Sequence, residues 1–249
     1  MAEIEEIFED FLKMLEETPS SIDGVSLHRS FSSVGYFDEH MNAINPKMGL
    51  YKLLLQRRGF TKTPKIISDD EYERIEEQEF FHGFKEQSHA KAFVFGNKYH
   101  LGSGTQIGTY FTENKNESIQ YTENKDKTQN YVLTAKMYDA KGENYLTILN
   151  LLNSMRFGQK VAFNKNSKDE QKIKELIDFC SEDNERQKWD MFLYMTSTAQ
   201  MLAVYLGYDY LYMQKGDNTH LCVFNRGKIV LSPEKINSGL KLSQQIVRE

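Results

Sequence analysis

His82-Gly83 closes a short aromatic run, and Tyr110 and Tyr121 follow it, eleven positions apart, behind a glycine-broken loop. Tyrosine presents large apolar faces with few rotors to freeze, so two of them can hold a ring between them. A His-Gly step followed by such a pair reads as a site for a flat, amide-bearing ring. Each residue also has a plainer reading. A lone histidine in an aromatic strand is usually a satisfied core residue, and so is a lone tyrosine. The loop Gly102-Ser103-Gly104-Thr105-Gln106-Ile107-Gly108 invites a dinucleotide-fold reading, which fails. That fingerprint needs a strand before it, a helix opening inside it and an acid about 20 residues on. Here the spacing is GxGxxxG and a Thr-Tyr-Phe-Thr strand comes next. The glycines serve either as a plain turn or as a place where backbone approaches a ligand.

The elements that must position these residues can be read from periodicity. Residues 3–17 alternate acids with Ile4, Ile7, Phe8, Phe11, Leu12 and Leu15, an amphipathic helix broken at Thr18-Pro19. Its Ile4/Phe8/Phe11/Leu15 stripe is expected to dock on the rest of the chain, the competing reading being a partner. A second helix is expected over about 38–58, interrupted at Pro46 and Gly49. Ile66-Ile67 reads as a short strand. Ser68, with Glu71 three residues on, predicts a capping box opening a helix over 69–78. Glu79–Phe84 suits a buried strand, Ser88–Phe95 a brief helix, and Thr109–Thr112 a strand end. Asn114–Tyr121 reads as a helix start and Asn130–Met137 as a strand, while Ala140–Asn153 mixes helix and loop. Ile173, Leu176, Ile177 and Cys180 mark a helix, and Thr196–Leu206 another ended by Gly207. Tyr208–Met213 and His220–Phe224 read as strands joined by a hairpin turn at Gly216-Asp217-Asn218. Ile229–Leu231 is a terminal strand. The order, a helical N-terminal segment (1–78) and then a mixed domain of short strands (79–249), argues α+β.

Composition bounds the partners. The chain has 249 residues, 27% of them charged, and a net charge of −5 with no basic stripe, so no nucleic-acid partner is advertised. Two cysteines, Cys180 and Cys222, without a CxxC spacing, suit a reducing compartment. The histidines show no zinc spacing, and no metal is expected. No apolar run nears the ~20 residues that span a bilayer. Met1 leads into acids rather than a signal peptide, so a cytoplasmic location without membrane association is expected.

Order and spacing together resemble an ADP-ribosyltransferase of the H-Y-E group, the group of diphtheria toxin and the poly(ADP-ribose) polymerases. The family's His-Gly strand end is matched by Phe81-His82-Gly83. Its Gly-Ile-Tyr-Phe-Ala-Asp segment is matched by Gly108-Thr109-Tyr110-Phe111-Thr112-Glu113. Its Ser-Ala-Asn-Tyr-like segment is matched by Ser118-Ile119-Gln120-Tyr121. The likeness is closer to bacterial and phage-borne domains. They share a Gly-Phe…Pro-Lys-Val-Val-Ser lead-in, here Gly59-Phe60…Pro64-Lys65-Ile66-Ile67-Ser68. They also share a late Gly-Tyr-Asp…Asn-Arg element, here Gly207-Tyr208-Asp209…Asn225-Arg226. It covers about residues 55–231 and implies a split antiparallel sheet with a cleft between two halves.

The resemblance implies roles. The ring would be the nicotinamide of NAD⁺, which is substrate rather than resident cofactor. His82 would donate a hydrogen bond to the adenosine-side ribose, and Gly83 would offer its backbone to the nicotinamide amide. Ser118 would add a hydroxyl to that amide, and Tyr110 and Tyr121 would sandwich the ring. The family's catalytic glutamate should begin the strand His220–Asn225, but His220 stands there, with Asp217 three residues earlier. Histidine supports an oxocarbenium-like centre less well than glutamate. The catalytic set is then His82, Tyr110 and His220. Asp217 reads as an ordinary turn residue, Asp209 as orienting its turn, and Asn225 and Arg226 as fixing a sheet edge. The activity implied is mono-ADP-ribosylation of a protein or nucleic-acid acceptor, with the acceptor or another acid supplying the base. The setting implied is a bacterial or phage toxin, defence or host-takeover factor, with a cognate inhibitor or assembly partner. An NAD⁺ glycohydrolase, or an NAD⁺-binding pseudoenzyme, is the alternative.

Overall fold

The structure is a computed structural model and describes residues 9–11, 13, 21–22, 25–26, 46–96, 108–120, 122, 130–157, 171 and 198–241. Strands β1 (Ser21–Ile22) and β2 (Val25–Ser26) pair with each other as a two-stranded sheet among the described residues. Eight more strands follow: β3 (Lys65–Ile66), β4 (Glu79–Phe84), β5 (Thr109–Thr112), β6 (Tyr131–Met137), β7 (Gly142–Asn144), β8 (Tyr210–Lys215), β9 (Asn218–Val223) and β10 (Ile229–Leu231). They form one mixed sheet in the order β3-β10-β6-β4-β5-β9-β8-β7. Only the two edge pairings, β3 with β10 and β7 with β8, are parallel. The helices with complete bounds are α1 (Pro46–Arg57), α2 (Asp69–Glu73), α3 (Gln87–Phe95), α4 (Lys115–Gln120), α5 (Tyr145–Phe157) and α6 (Pro233–Leu240). Residues 198–205 are helical too. The architecture is α+β.

Alternation along the strands sends neighbouring side chains to opposite faces, and each face has its own core. One holds Leu54 and Leu55 of α1, Ile148 and Leu149 of α5, Met201 and Leu202, against Leu211, Cys222 and Phe224. The other holds Phe93 of α3 and Ile236 and Leu240 of α6, against Phe84, Phe111, Leu133, Leu221 and Val223. Residues on the N-terminal side of position 78 belong to these same layers: α1 lies in the first core, and β3 extends the sheet through β10. Phe11 is fully buried in the first core, its ring 5.4 Å from Tyr205. The rest of its predicted stripe lies outside the described residues, as do residues 38–45 and most of the helix predicted around 173–180.

Several boundaries differ from the prediction for local reasons. Ser68 and Glu71 form the capping box, but α2 ends at Glu73 instead of 78. The Lys136 ammonium donates to the carbonyls of Tyr72 (3.1 Å) and Ile75 (2.6 Å), closing the helix end with charge of the favourable sign. The described helix α1 runs through Gly49 without a break. The hairpin turn is Gly216-Asp217 alone, with Asn218 already in β9 opposite Lys215. Gly216 has φ +64°, the first-position glycine of a II′ turn.

One feature of the sheet matters most for the site. β4 pairs with β6 along its whole length, from Glu79↔Lys136 to Phe84↔Tyr131. β5 pairs with β9 along its whole length, from Thr109↔Val223 to Thr112↔His220. β4 and β5 meet at Phe81↔Thr112 alone. The sheet is thus two halves joined at a narrow seam.

Candidate functional site

His82 lies just past that seam contact. Its ring stands edge-on to Phe84 at 4.4 Å, 5.3 Å from Phe111 and 6.0 Å from Phe93. Nδ1 hydrogen-bonds the Tyr110 carbonyl across the seam. A carbonyl can only accept, so Nδ1 carries the proton. Although the residue keeps some contact with solvent, the crowding is dense. Burial pulls its pKa down to about 4, against the pull of the Tyr110 bond and helped by the Arg226 charge. The imidazole is therefore neutral at pH 7, with Nε2 as an acceptor. Among the described residues no group hydrogen-bonds Nε2. The ring so held presents an acceptor at Nε2, where the resemblance implies a donor.

Gly83 faces the other way, onto α4. A Cβ there would lie 2.1 Å from the Ser118 carbonyl oxygen and 2.7 Å from Thr122 Cγ2. No side chain fits, so the glycine allows α4 to lie directly on β4. Gly108 is explained similarly, since a Cβ would lie 2.4 Å from Cys222 Sγ. Helix α4 starts where Asn114 Oδ1 accepts from the amides of Asn116 (3.0 Å) and Glu117 (3.2 Å). Ser118 is fully buried, and its hydroxyl donates to the Lys115 carbonyl at 2.7 Å. Its proton is committed to the helix, so toward a ligand this oxygen is an acceptor.

Tyr110 is half-buried opposite Cys222 and packs against the first core. Burial pushes the Cys222 thiol up to about 12, opposed by hydrogen bonds from Tyr110 and the Gly108 backbone. That cysteine is an inert core residue. Tyr121 lies outside the described residues, as do Gly102 and Gly104. Alternation puts the Tyr110 ring and the His82 ring on opposite faces of the sheet, and they communicate through the Tyr110 carbonyl.

The C-terminal hairpin separates the two candidates for the third position. Asp217 is exposed in the turn. His220 is buried beside Thr112, on the Tyr110 face. There it meets a residue not predicted as part of the site. Glu117, from the first turn of α4, approaches His220 Nε2 at 3.0 Å and accepts from Thr112 Oγ1 at 3.1 Å and Asn218 Nδ2 at 3.4 Å. Lys215 Nζ stands 3.8 Å from its other oxygen. The sequence hides this role, because Asn114-Lys115-Asn116-Glu117 has capping-box spacing and reads as local. A glutamate within five residues of a strand-end threonine was the available signal.

Asp209 and Asn225 build scaffold. Asn225 Nδ2 donates to Asp209 Oδ1 at 2.7 Å, and Asp209 Oδ2 accepts from the Lys141 amide at 2.8 Å. Arg226 donates to Thr109 Oγ1 at 3.3 Å and lies over the Phe93 ring. A separate open groove of about 740 Å³, lined by Lys65, Arg74, Tyr138 and Val230 among others, lies at the far β3–β10 edge. Among the described residues no His, Cys, Asp and Glu side chains gather as a metal-holding group, and no helix is long and apolar enough to cross a membrane. Comparison of the chain with protein-family models, with curated proteins and with solved structures finds no match in any of the three.

Proposed function

We propose that this chain is an NAD⁺-dependent mono-ADP-ribosyltransferase, and that the two sheet halves are the sides of an ADP-ribosyltransferase-like split sheet. The observation that carries the reading is the seam. β4 and β5 part after Phe81↔Thr112, and His82, Gly83, Tyr110, Ser118 and His220 all lie on the strands and the helix around that parting. In this reading Gly83 and Ser118 take the nicotinamide amide, Ser118 as acceptor of an amide N–H. Tyr110, with Tyr121, holds the ring, and His82 Nε2 accepts from the adenosine-side ribose. His220 fills the third position. Catalysis then comes from gripping nicotinamide and constraining the ribose, so that displacement at C1′ needs little reorganisation.

The test is incubation of the full chain with ³²P-NAD⁺ in a bacterial lysate, with nicotinamide release followed in parallel. The expected result is a labelled macromolecule whose label is lost on Tyr110→Ala. Protease and nuclease then sort a protein acceptor from RNA or DNA. Nicotinamide release without any label on a macromolecule would make the chain a glycohydrolase. Neither release nor NAD⁺ binding would refute the reading.

A further inference from the structure

Glu117 and His220 form a largely buried polar unit, in which the transferase reading gives His220 the third position and Glu117 no role. The Glu117 side chain is 16% exposed and that of His220 7%. A carboxylate accepts only, so at 3.0 Å the hydrogen in this contact belongs to His220 Nε2. Thr112 and Asn218 donate to the same oxygen, which fixes the carboxylate from three sides. In the neutral ring Nδ1 is then the atom with the lone pair. That is the arrangement in which an acid orients a histidine as a general base and stabilises the imidazolium that forms.

Resting on the transferase reading, we propose that His220 is the general base of the reaction, that Glu117 is its positioning residue, and that the acceptor is a hydroxyl group. His220 Nδ1 takes the hydroxyl proton as the oxygen attacks C1′ of the nicotinamide-side ribose. The C1′–N bond breaks, and its electron pair neutralises the pyridinium, so nicotinamide leaves uncharged. The imidazolium is balanced by Glu117 and returns its proton to water. Acceptor class follows from the same chemistry: a hydroxyl must lose a proton to become a good nucleophile, whereas a carboxylate acceptor would need no base. The carboxylate expected on β9 is thus supplied by α4, one residue before Ser118.

Glu117→Gln keeps the shape and removes the charge. NAD⁺ affinity by calorimetry, nicotinamide release with water as the hydroxyl acceptor, and thermal melting are measured on the full chain. The expected result is kcat lowered about 10²–10⁴-fold with NAD⁺ affinity unchanged, and partial recovery in Glu117→Asp. Turnover unchanged in Glu117→Gln overturns the dyad and leaves the transferase standing. Affinity lost in step with turnover overturns it too, making the carboxylate a substrate ligand. A wild-type chain that binds no NAD⁺ overturns both readings. His220→Gln applies the same criteria where Glu117→Gln does not fold.

Discussion

Replacing His82 by phenylalanine separates its protonation from its packing. The aromatic neighbours Phe84, Phe93 and Phe111 accept a phenyl ring, while the titrating group disappears. The folded-state value of about 4 lies below the ordinary 6.5. A histidine shifted in this direction contributes stability that is whole above pH 6.5 and is lost as pH falls toward 4. Between those values the unfolded chain binds the extra proton. Linkage over that interval gives a loss of about 2 kcal/mol by pH 5 and about 3 kcal/mol by pH 4. Residual solvent contact of the ring trims both figures. The assay is urea unfolding of wild type and His82→Phe at pH 7 and pH 5. At pH 7 the variant should be about 1 kcal/mol less stable, from the Tyr110 carbonyl losing its donor. At pH 5 that deficit should vanish or reverse, because the wild type alone has weakened. Carboxylates titrate in both proteins and cancel in the difference. Parallel pH dependence in the two proteins would refute the buried, Nδ1-protonated imidazole, and with it the acceptor role of Nε2.

Tyr110→Ala should weaken NAD⁺ binding by about 1–3 kcal/mol in calorimetry; unchanged affinity in a folded variant would make Tyr110 structural. Gly83→Ala drives a Cβ against the Ser118 backbone at 2.1 Å, so α4 must move; denaturation should show about 1–3 kcal/mol lost, and a neutral result would mean that α4 does not rest on β4. Phe11→Ala should cost about 3–5 kcal/mol by urea unfolding, since the ring is fully buried in the first core; an unchanged midpoint would return the N-terminal helix to a partner. Lys136→Met strips the donor from the Tyr72 and Ile75 carbonyls and should cost about 1–3 kcal/mol in the same assay.

What the sequence revealed was mostly local chemistry. β4 and β10 matched their predicted spans because each is a short apolar run between turn signals. Ser68, Asn114 and Gly216 announced themselves by capping and turn rules that act over three or four residues. β7 was missed because Gly142-Glu143-Asn144 carries no strand signal and is a strand only by lying parallel to β8. α6 was missed although Ser232-Pro233 is a start signal, because Ile236 and Leu240 are its buried residues. The Glu117–His220 contact and the tautomer of His82 were invisible for a different reason. Both depend on which atom of a distant element a side chain meets, a hydrogen-bonding fact that spacing does not carry.

The seam explains why the site falls where it does. Inside a continuous sheet every backbone donor and acceptor is taken by the ladder, and nothing remains for a ligand. β4 and β5 are each fully paired on their outer sides, to β6 and β9, and share only Phe81↔Thr112 between them. Beyond that point the strands part, and a buried carbonyl at the parting must find a donor elsewhere. For Tyr110 that donor is the imidazole of His82. One side chain therefore does two things at once. It satisfies the group that the broken ladder leaves behind, and the bond it makes dictates that its second nitrogen is a lone pair. The same logic applies across the seam, where Glu117 fixes the proton of His220 on Nε2 and leaves Nδ1 basic. Two histidines, His82 on β4 and His220 on β9 with β5 between them, are thus held in opposite tautomers by their partners, His82 with its lone pair at Nε2 and His220 with its lone pair at Nδ1. In the proposed transfer, the parting between β4 and β5 would then join a hydrogen-bond acceptor on one face of the sheet to a proton acceptor on the other.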